Sequence, residues 1–337
     1  MAKGADGRVS ALQQQVDRAI AAQLRSAGLP VTPEGLELLP EWRRNAIVAC
    51  VPTSLLAVVA RRKPALRLAL AWSGRCDEET QVFLLHWGDS ETRWHILWHR
   101  DGVSRAVLAR AARAEDPEVR AAVAHCLRAG AALVAELAKD PDPVVRREIV
   151  GREDTLPPAL LIELTADSDA DVRRRAIERL PTADSDAPAI EGALAARTDD
   201  PDVEVRHAAA QHPRMPAGAL ARMAADPCAR VRFAVGRHAA ADELTLERLM
   251  TDVDADVRVA AVQHERFPPA RLAAAASDPS LHVRAACAAH PRVATQVLAR
   301  LAADPEPDVR DAVAIRDDLH ASVVAVLRAS GDAPRLR

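Results

Sequence analysis

The apolar positions of this chain return on a fixed beat. In DPSLHVRAACAAHPRVATQVLARLAA (278–303) a Val-Arg step sits inside one short apolar run, and a second run of Val and Leu follows. Anchored on the Arg of that step, Arg206, Arg232, Arg258, Arg284 and Arg310 follow one another at intervals of 26 residues. Arg120, Arg146 and Arg173 keep nearly the same interval, and the gap to Arg206 holds about seven extra residues around PTADSDA (181–187). Stepping back from Arg120 reaches Arg93, Arg67 and Arg43, each followed by a weaker copy of the apolar pattern. Eleven units result, the first three degenerate. A unit this short cannot bury its apolar face alone; it does so only against the next copy, which is the logic of a solenoid.

Within a unit the punctuation predicts two helices. Asp-Pro recurs six residues before the anchor (Asp140, Asp200, Asp226, Asp278, Asp304), with Asp167 and Asp252 lacking the Pro. Asp caps helix N-termini and Pro suits the first turn, so the first helix is expected to start there. It should run about eleven residues and stop near His212-Pro213 or His290-Pro291, because proline disfavours helix in the residue before it. The second helix is shorter, with room for some 3₁₀ geometry. Its apolar pairs fall twelve and nine residues before the next anchor: Leu161 and Leu164, Leu220 and Met223, Leu246 and Leu249, Leu298 and Leu301. The expected fold is all-α, an α-solenoid (superhelix) of about eleven two-helix repeats. Segment boundaries follow: residues 1–40 hold a capping helix and connector, 41–113 the degenerate Trp-rich repeats, 114–316 the regular repeats, and 317–337 a C-terminal cap and tail.

The first of these segments belongs to no repeat. Val9, Leu12, Val16, Ile20 and Leu24 recur at helical steps over 8–27, and Gly28 is placed to cap the end. This helix is the natural cover for the first repeats.

Composition narrows the chemistry. Arg outnumbers Lys 42 to 3, yet the formal charge is −3, so no global basic field draws in nucleic acid. The five cysteines (Cys50, Cys76, Cys126, Cys228, Cys287) are scattered and form no CxxC, which argues against a disulfide framework or a zinc knuckle. No apolar run approaches the roughly 18 residues of a membrane span, and the N-terminus lacks the apolar core of a signal peptide. A reducing cytoplasm is the expected setting. Glycine is too scarce for phosphate-binding loops, and no nucleophile, base and acid are spaced as a catalytic set.

The unit pattern DPxxxVRxAVAxxPxxPxxLLxxLAxD resembles the leucine-rich variant repeat, a relative of HEAT and armadillo repeats. The resemblance is strong over 114–316 and weak over 41–113. It implies alternating α- and shorter, partly 3₁₀ helices and, in general, a protein-binding surface. Some members carry an N-terminal cysteine cluster that holds an iron–sulfur centre. Residues 1–40 contain no cysteine, so no cofactor is carried over.

Residues at equal phase should form columns along the stack. The anchor arginines, interleaved with Asp142, Asp169, Asp202 and Asp254, are expected to be structural, each fork bridging or capping within the stack. Six residues after the anchor stand His99, Arg152, Arg179, His212, His238, His264, His290 and Arg316, expected to bond the last carbonyls of a helix. Positions one and five after the anchor share one helix face. In the later units they hold mixed pairs, and His207, Gln211, Phe233 and Arg237, with His238 beside them, form a secondary candidate face. In two early units they hold Leu68 and Trp72, then Trp94 and Trp98. These four are the leading candidates for a partner-binding patch, covered either by the N-terminal helix, the slightly favoured reading, or by a partner. Cys76, His86 and the two histidines of HILWH (95–99) sketch a zinc site, but the Glu of a zinc-protease helix is missing. The function expected is a non-enzymatic scaffold for a protein or peptide partner, with nucleic acid and membrane disfavoured. The alternative is a HEAT-like nucleic-acid-binding protein or DNA glycosylase-like enzyme, with Asp89 and Asp101 beside Trp94 and Trp98.

Overall fold

A computed structural model describes residues 3–98, 103–182 and 187–330, with side chains from residue 13. His99, Asp101 and the centre of the insertion at 183–186 lie outside the described residues, as do the side chains of Val9 and Leu12. The described residues form 24 α-helices and two short 3₁₀ turns, with no strand among them. After α1 (Lys3–Ser26) and α2 (Pro33–Glu37), the remaining helices alternate as first and second members of eleven pairs, one pair for each anchor arginine. The chain divides into two compact units, Met1–Leu156 and Pro157–Arg337.

In the first unit, α1 packs against α2 and against α3 (Glu41–Ala49), the first helix of the first pair. Val16, Ile20 and Leu24 of α1 are buried. The helix ends two residues before Gly28, whose φ of 70° is the left-handed turn that glycine adopts at little cost. First helices then pack in a row: α3, α5 (Arg67–Ser73), α7 (Ser90–Trp98), α9 (Pro117–His125) and α11 (Pro143–Gly151). Between them run the second helices α4 (Leu56–Arg62), α6 (Glu78–Trp87), α8 (Arg105–Ala111) and α10 (Ala131–Leu137). The 3₁₀ turns are confined to Thr53–Leu55 and Pro64–Leu66, leading into α4 and α5.

The second unit repeats the plan more regularly. Its first helices are α13 (Ala170–Arg179), α15 (Val203–Gln211), α17 (Ala229–Arg237), α19 (Ala255–Gln263), α21 (Leu281–Ala289) and α23 (Pro307–Ala314), each packed on the next. Most of its second helices are seven-residue α-helices, such as Ala217–Met223 and Glu243–Leu249, and α24 (Ala321–Ala329) closes the eleventh pair. The Leu and Met pairs read from the sequence are all buried, each side chain contributing roughly 2 kcal/mol. Small residues let the first helices approach closely: a Cβ added at Gly236 would sit 3.1 Å from the Ala260 Cβ on the next first helix.

The helix starts differ from expectation. First helices are typically nine residues, and they begin three residues before the anchor. The N-cap is the residue four before it: Asp142, Asp169, Asp202 and Asp254 each accept from an amide of the first turn. The Asp six before the anchor is not a helix cap. Its carboxylate accepts the amide two residues on, as Asp140 does from Asp142 at 2.9 Å, and then receives the arginine of the preceding repeat. Local propensity allowed either Asp to cap; the incoming guanidinium decides which one does.

Candidate functional site

The anchor arginines form a structural ladder. Arg120 gives Nε and Nη2 to the two carboxylate oxygens of Asp140 at 2.7 and 2.9 Å, and Nη1 to the Ala114 carbonyl at 2.8 Å. The same bidentate fork joins Arg173 to Asp200, Arg206 to Asp226, Arg232 to Asp252, Arg258 to Asp278 and Arg284 to Asp304. The partner lies in the next repeat, not among the neighbouring Asp142-type residues expected from the sequence. Burial pushes the Asp140, Asp252 and Asp304 carboxyls up, but the arginine and the backbone amide outweigh it and hold all three below the usual carboxylate range. In these six rungs each guanidinium is matched by a carboxylate, so they offer no basic stripe.

A second ladder runs through the helix C-termini. His238 Nε2 lies 2.9 Å from the His212 carbonyl, His264 Nε2 3.0 Å from the His238 carbonyl, and His290 Nε2 3.4 Å from the His264 carbonyl. In each ring Nδ1 accepts the backbone N–H two residues on, from Ala240, Arg266 and Arg292. One nitrogen must therefore be bare and the other must carry the proton, which fixes a neutral imidazole. Burial pushes His212, His264 and His290 below the ordinary histidine value, against the opposing pull of the carbonyl bond. Arg152 and Arg316 take the histidine's place in their own repeats. Their Nη1 atoms reach the Cys126 and His290 carbonyls, and an aspartate two residues on, Asp154 or Asp318, neutralises them. His238, named above as part of a candidate ligand face, is buried with both nitrogens engaged and has nothing left to offer a ligand. Its neighbours stay on the surface as a looser set. Arg237 lies over the Phe233 ring at 6.0 Å, Gln211 is exposed, and burial lowers the His207 ring below its usual value.

The early repeats differ. Trp72, Trp94 and Trp98 are 47%, 53% and 37% exposed. The N-terminal helix packs on α2 and α3 instead of covering them, contrary to the reading favoured from the sequence. Leu68 is half-buried one turn before Trp72 on α5. An indole presents roughly 150–250 Å², so three at about half exposure leave on the order of 300 Å² in water, the size at which a surface patch is commonly functional.

The rings form one continuous strip. Trp72 meets His95 at 4.1 Å between ring centroids, and His95 meets Trp94 edge-on at 4.8 Å. Trp94 and Trp98, a turn apart on α7, lie 6.1 Å apart and only 14° from parallel. Trp98 then meets His125 on α9 at 6.2 Å, and His125 Nδ1 lies 2.9 Å from Glu148 on α11. Beside this strip a groove of about 380 Å³ has Ala121 and Ala122 among its lining residues, with Glu118 and Glu148. His125, Glu118 and Glu148 were not singled out from the sequence as site residues, although His125 holds the same phase as Trp72 and Trp98, and His95 was read only as part of a sketched zinc site.

Of the sketched zinc and glycosylase groups, Cys76, His86 and Asp89 are otherwise occupied, while His99 and Asp101 lie outside the described residues. The Cys76 thiol donates to the Leu70 carbonyl and burial pushes it up to about 11, while His86 Nδ1 lies 2.8 Å from the Val82 carbonyl. Among the described residues no three His, Cys, Asp or Glu side chains converge as a metal site. Asp89 accepts the Thr92 amide at 2.8 Å as the cap of α7. Its carboxyl lies below the usual range, because that bond and the nearby Arg67 and Arg93 outweigh burial. It is spent on the helix. No single helix among the described residues is long and apolar enough to cross a membrane.

Comparisons with known proteins agree with this geometry. Residues 203–227 match the family described as leucine rich repeat variant. A solved structure, "a leucine-rich repeat variant with a novel repetitive protein structural motif", is 25% identical and superposes with a TM-score of 0.53, covering 68% of this chain and 87% of that one. An importin beta structure, 13% identical, covers 89% of this chain and 45% of that one, but its TM-score of 0.32 is too low to carry an argument. No curated protein matches the chain in sequence. The fold is thus an α-solenoid of repeats, one of which, residues 203–227, matches the leucine rich repeat variant, and it is similar to the solved structure of that repeat.

Proposed function

We propose that the chain is a non-enzymatic interaction scaffold that holds a protein or peptide partner on its first-helix face, anchored at the aromatic strip of α5 and α7. One observation carries the reading. Three tryptophans on successive first helices are left in water by the chain's own N-terminal helix, and Trp is the residue that most often dominates binding hot spots. The remaining polar columns point the same way by exclusion. The arginines and histidines that could have done chemistry are consumed in holding repeat to repeat. Quantitative affinity capture with the intact chain and with Trp94→Ala/Trp98→Ala tests the reading, with thermal melting as the control for folding. The captured set should fall at least tenfold with an unchanged melting profile. An unchanged captured set contradicts it.

A further inference from the structure

The lining of the groove between α7 and α9 goes further than a patch of apolar surface, and it rests on the docking reading just given. We propose that the groove takes a cationic side chain, an arginine or lysine, from a basic peptide segment of the partner.

Three features select a cation. First, Trp94 and Trp98 present nearly parallel indoles, 6.1 Å apart and 14° from coplanar directions, both open to solvent. The indole face carries the negative end of the ring quadrupole and attracts an ammonium or guanidinium within about 6 Å. Second, the same groove is lined by the Glu118 and Glu148 carboxylates. Third, the groove's own cations are already spoken for. Arg93 donates Nε to the Leu85 carbonyl at 2.9 Å, Nη1 to Glu118 at 2.8 Å, and Nη2 to Asp116 at 3.3 Å. His125 Nδ1 sits on Glu148. Glu118 and Glu148 line the groove and Asp116 stands just outside the lining on Arg93, so three carboxylates face one guanidinium and one imidazole, and the groove with its rim keeps an excess of negative charge.

Size and shape agree. The lining between the rings and the carboxylates includes the small side chains Ala121 and Ala122, in a space of about 380 Å³. That volume suits one long side chain with its neighbouring backbone. An arginine fork could lie flat on an indole while pairing with a carboxylate edge. A nucleic-acid strand would gain the stacking but set its phosphates against Glu118 and Glu148. An apolar peptide would bury the rings at the cost of desolvating both carboxylates.

The test is a titration of the intact chain, labelled at the indole nitrogens, with the peptide acetyl-(Arg-Gly-Gly)₃-amide and its Gln, Leu and Glu counterparts, read by NMR. The Arg peptide should shift the Trp94 and Trp98 indole signals saturably, more weakly as salt rises. Glu118→Gln/Glu148→Gln and Trp98→Ala should each weaken it about tenfold, with unchanged melting profiles as the control. A Gln or Leu peptide that shifts the same signals as strongly overturns the choice of a cation while leaving the docking face in place. No saturable shift with any peptide overturns the cation proposal too. The docking reading falls only if partner capture also survives Trp94→Ala/Trp98→Ala.

Discussion

Arg232 holds both carboxylate oxygens of Asp252, 20 residues further on, with Nε at 2.6 Å and Nη2 at 2.8 Å. Asp252 in turn offers its backbone carbonyl to Arg258 Nη1 at 2.7 Å, so one aspartate ties two successive anchors together. Both side chains of the pair are nearly buried. Asp252→Ala should therefore cost about 3 kcal/mol, because it strands a guanidinium away from water. Arg232→Ala/Asp252→Ala should cost clearly less than the two single changes added together. Urea denaturation of the four proteins measures this, and strict additivity would show that the fork contributes nothing as a pair.

Acid should loosen the stack in two stages. Unfolded, a histidine takes up its proton near pH 6.5. Burial depresses the folded values of His212, His264 and His290 below that. Below about pH 6.5 the unfolded chain binds more protons than the folded one, so stability is full above that pH and falls as pH drops. Asp140, Asp252 and Asp304 are likewise depressed, and their contribution goes as pH falls below about 4. The urea midpoint should be flat from pH 7 to 8.5 and decline from pH 6.5 downward. A midpoint that rises on going from pH 7 to pH 5.5 would mean that the rings are charged in the folded chain.

The histidine and arginine rungs should be interchangeable only as sets. Arg152 and Arg316 reach the same kind of carbonyl as the histidines, but each brings an aspartate two residues on. His264→Arg alone places an uncompensated charge in a buried position and should cost about 2 kcal/mol or more. His264→Arg with Arg266→Asp recreates the Arg316–Asp318 arrangement and should recover most of that. Melting temperatures of the two variants decide it, and a double variant no better than the single one would contradict the account.

The repeat, its length and its buried Leu pairs could be read from the chain because they are periodic and local. Both helices of each pair follow from the apolar beat around residues such as Val205 and Leu220. The rungs could not, since Arg232 meets its partner 20 residues away and the choice between Asp252 and Asp254 as helix cap depends on that contact. The cap column itself is uneven, with Cys228, Ser280 and Glu306 making no side-chain cap bond. At the site, the tryptophans stood out by type, while His125 and Glu148 did not, being polar residues that matter only once α9 and α11 stack behind α7. The path of α1 was beyond reach as well. Its length allowed it to lie over the tryptophans, and only packing against α3 shows that it does not.

Tryptophan fluorescence tests the open aromatic strip most directly. In a Trp42→Phe/Trp87→Phe background only Trp72, Trp94 and Trp98 emit. The account predicts red-shifted emission readily quenched by acrylamide in the full-length chain, and a blue shift with protection when the basic peptide is added. Emission that is already blue-shifted and protected in the free chain would contradict it.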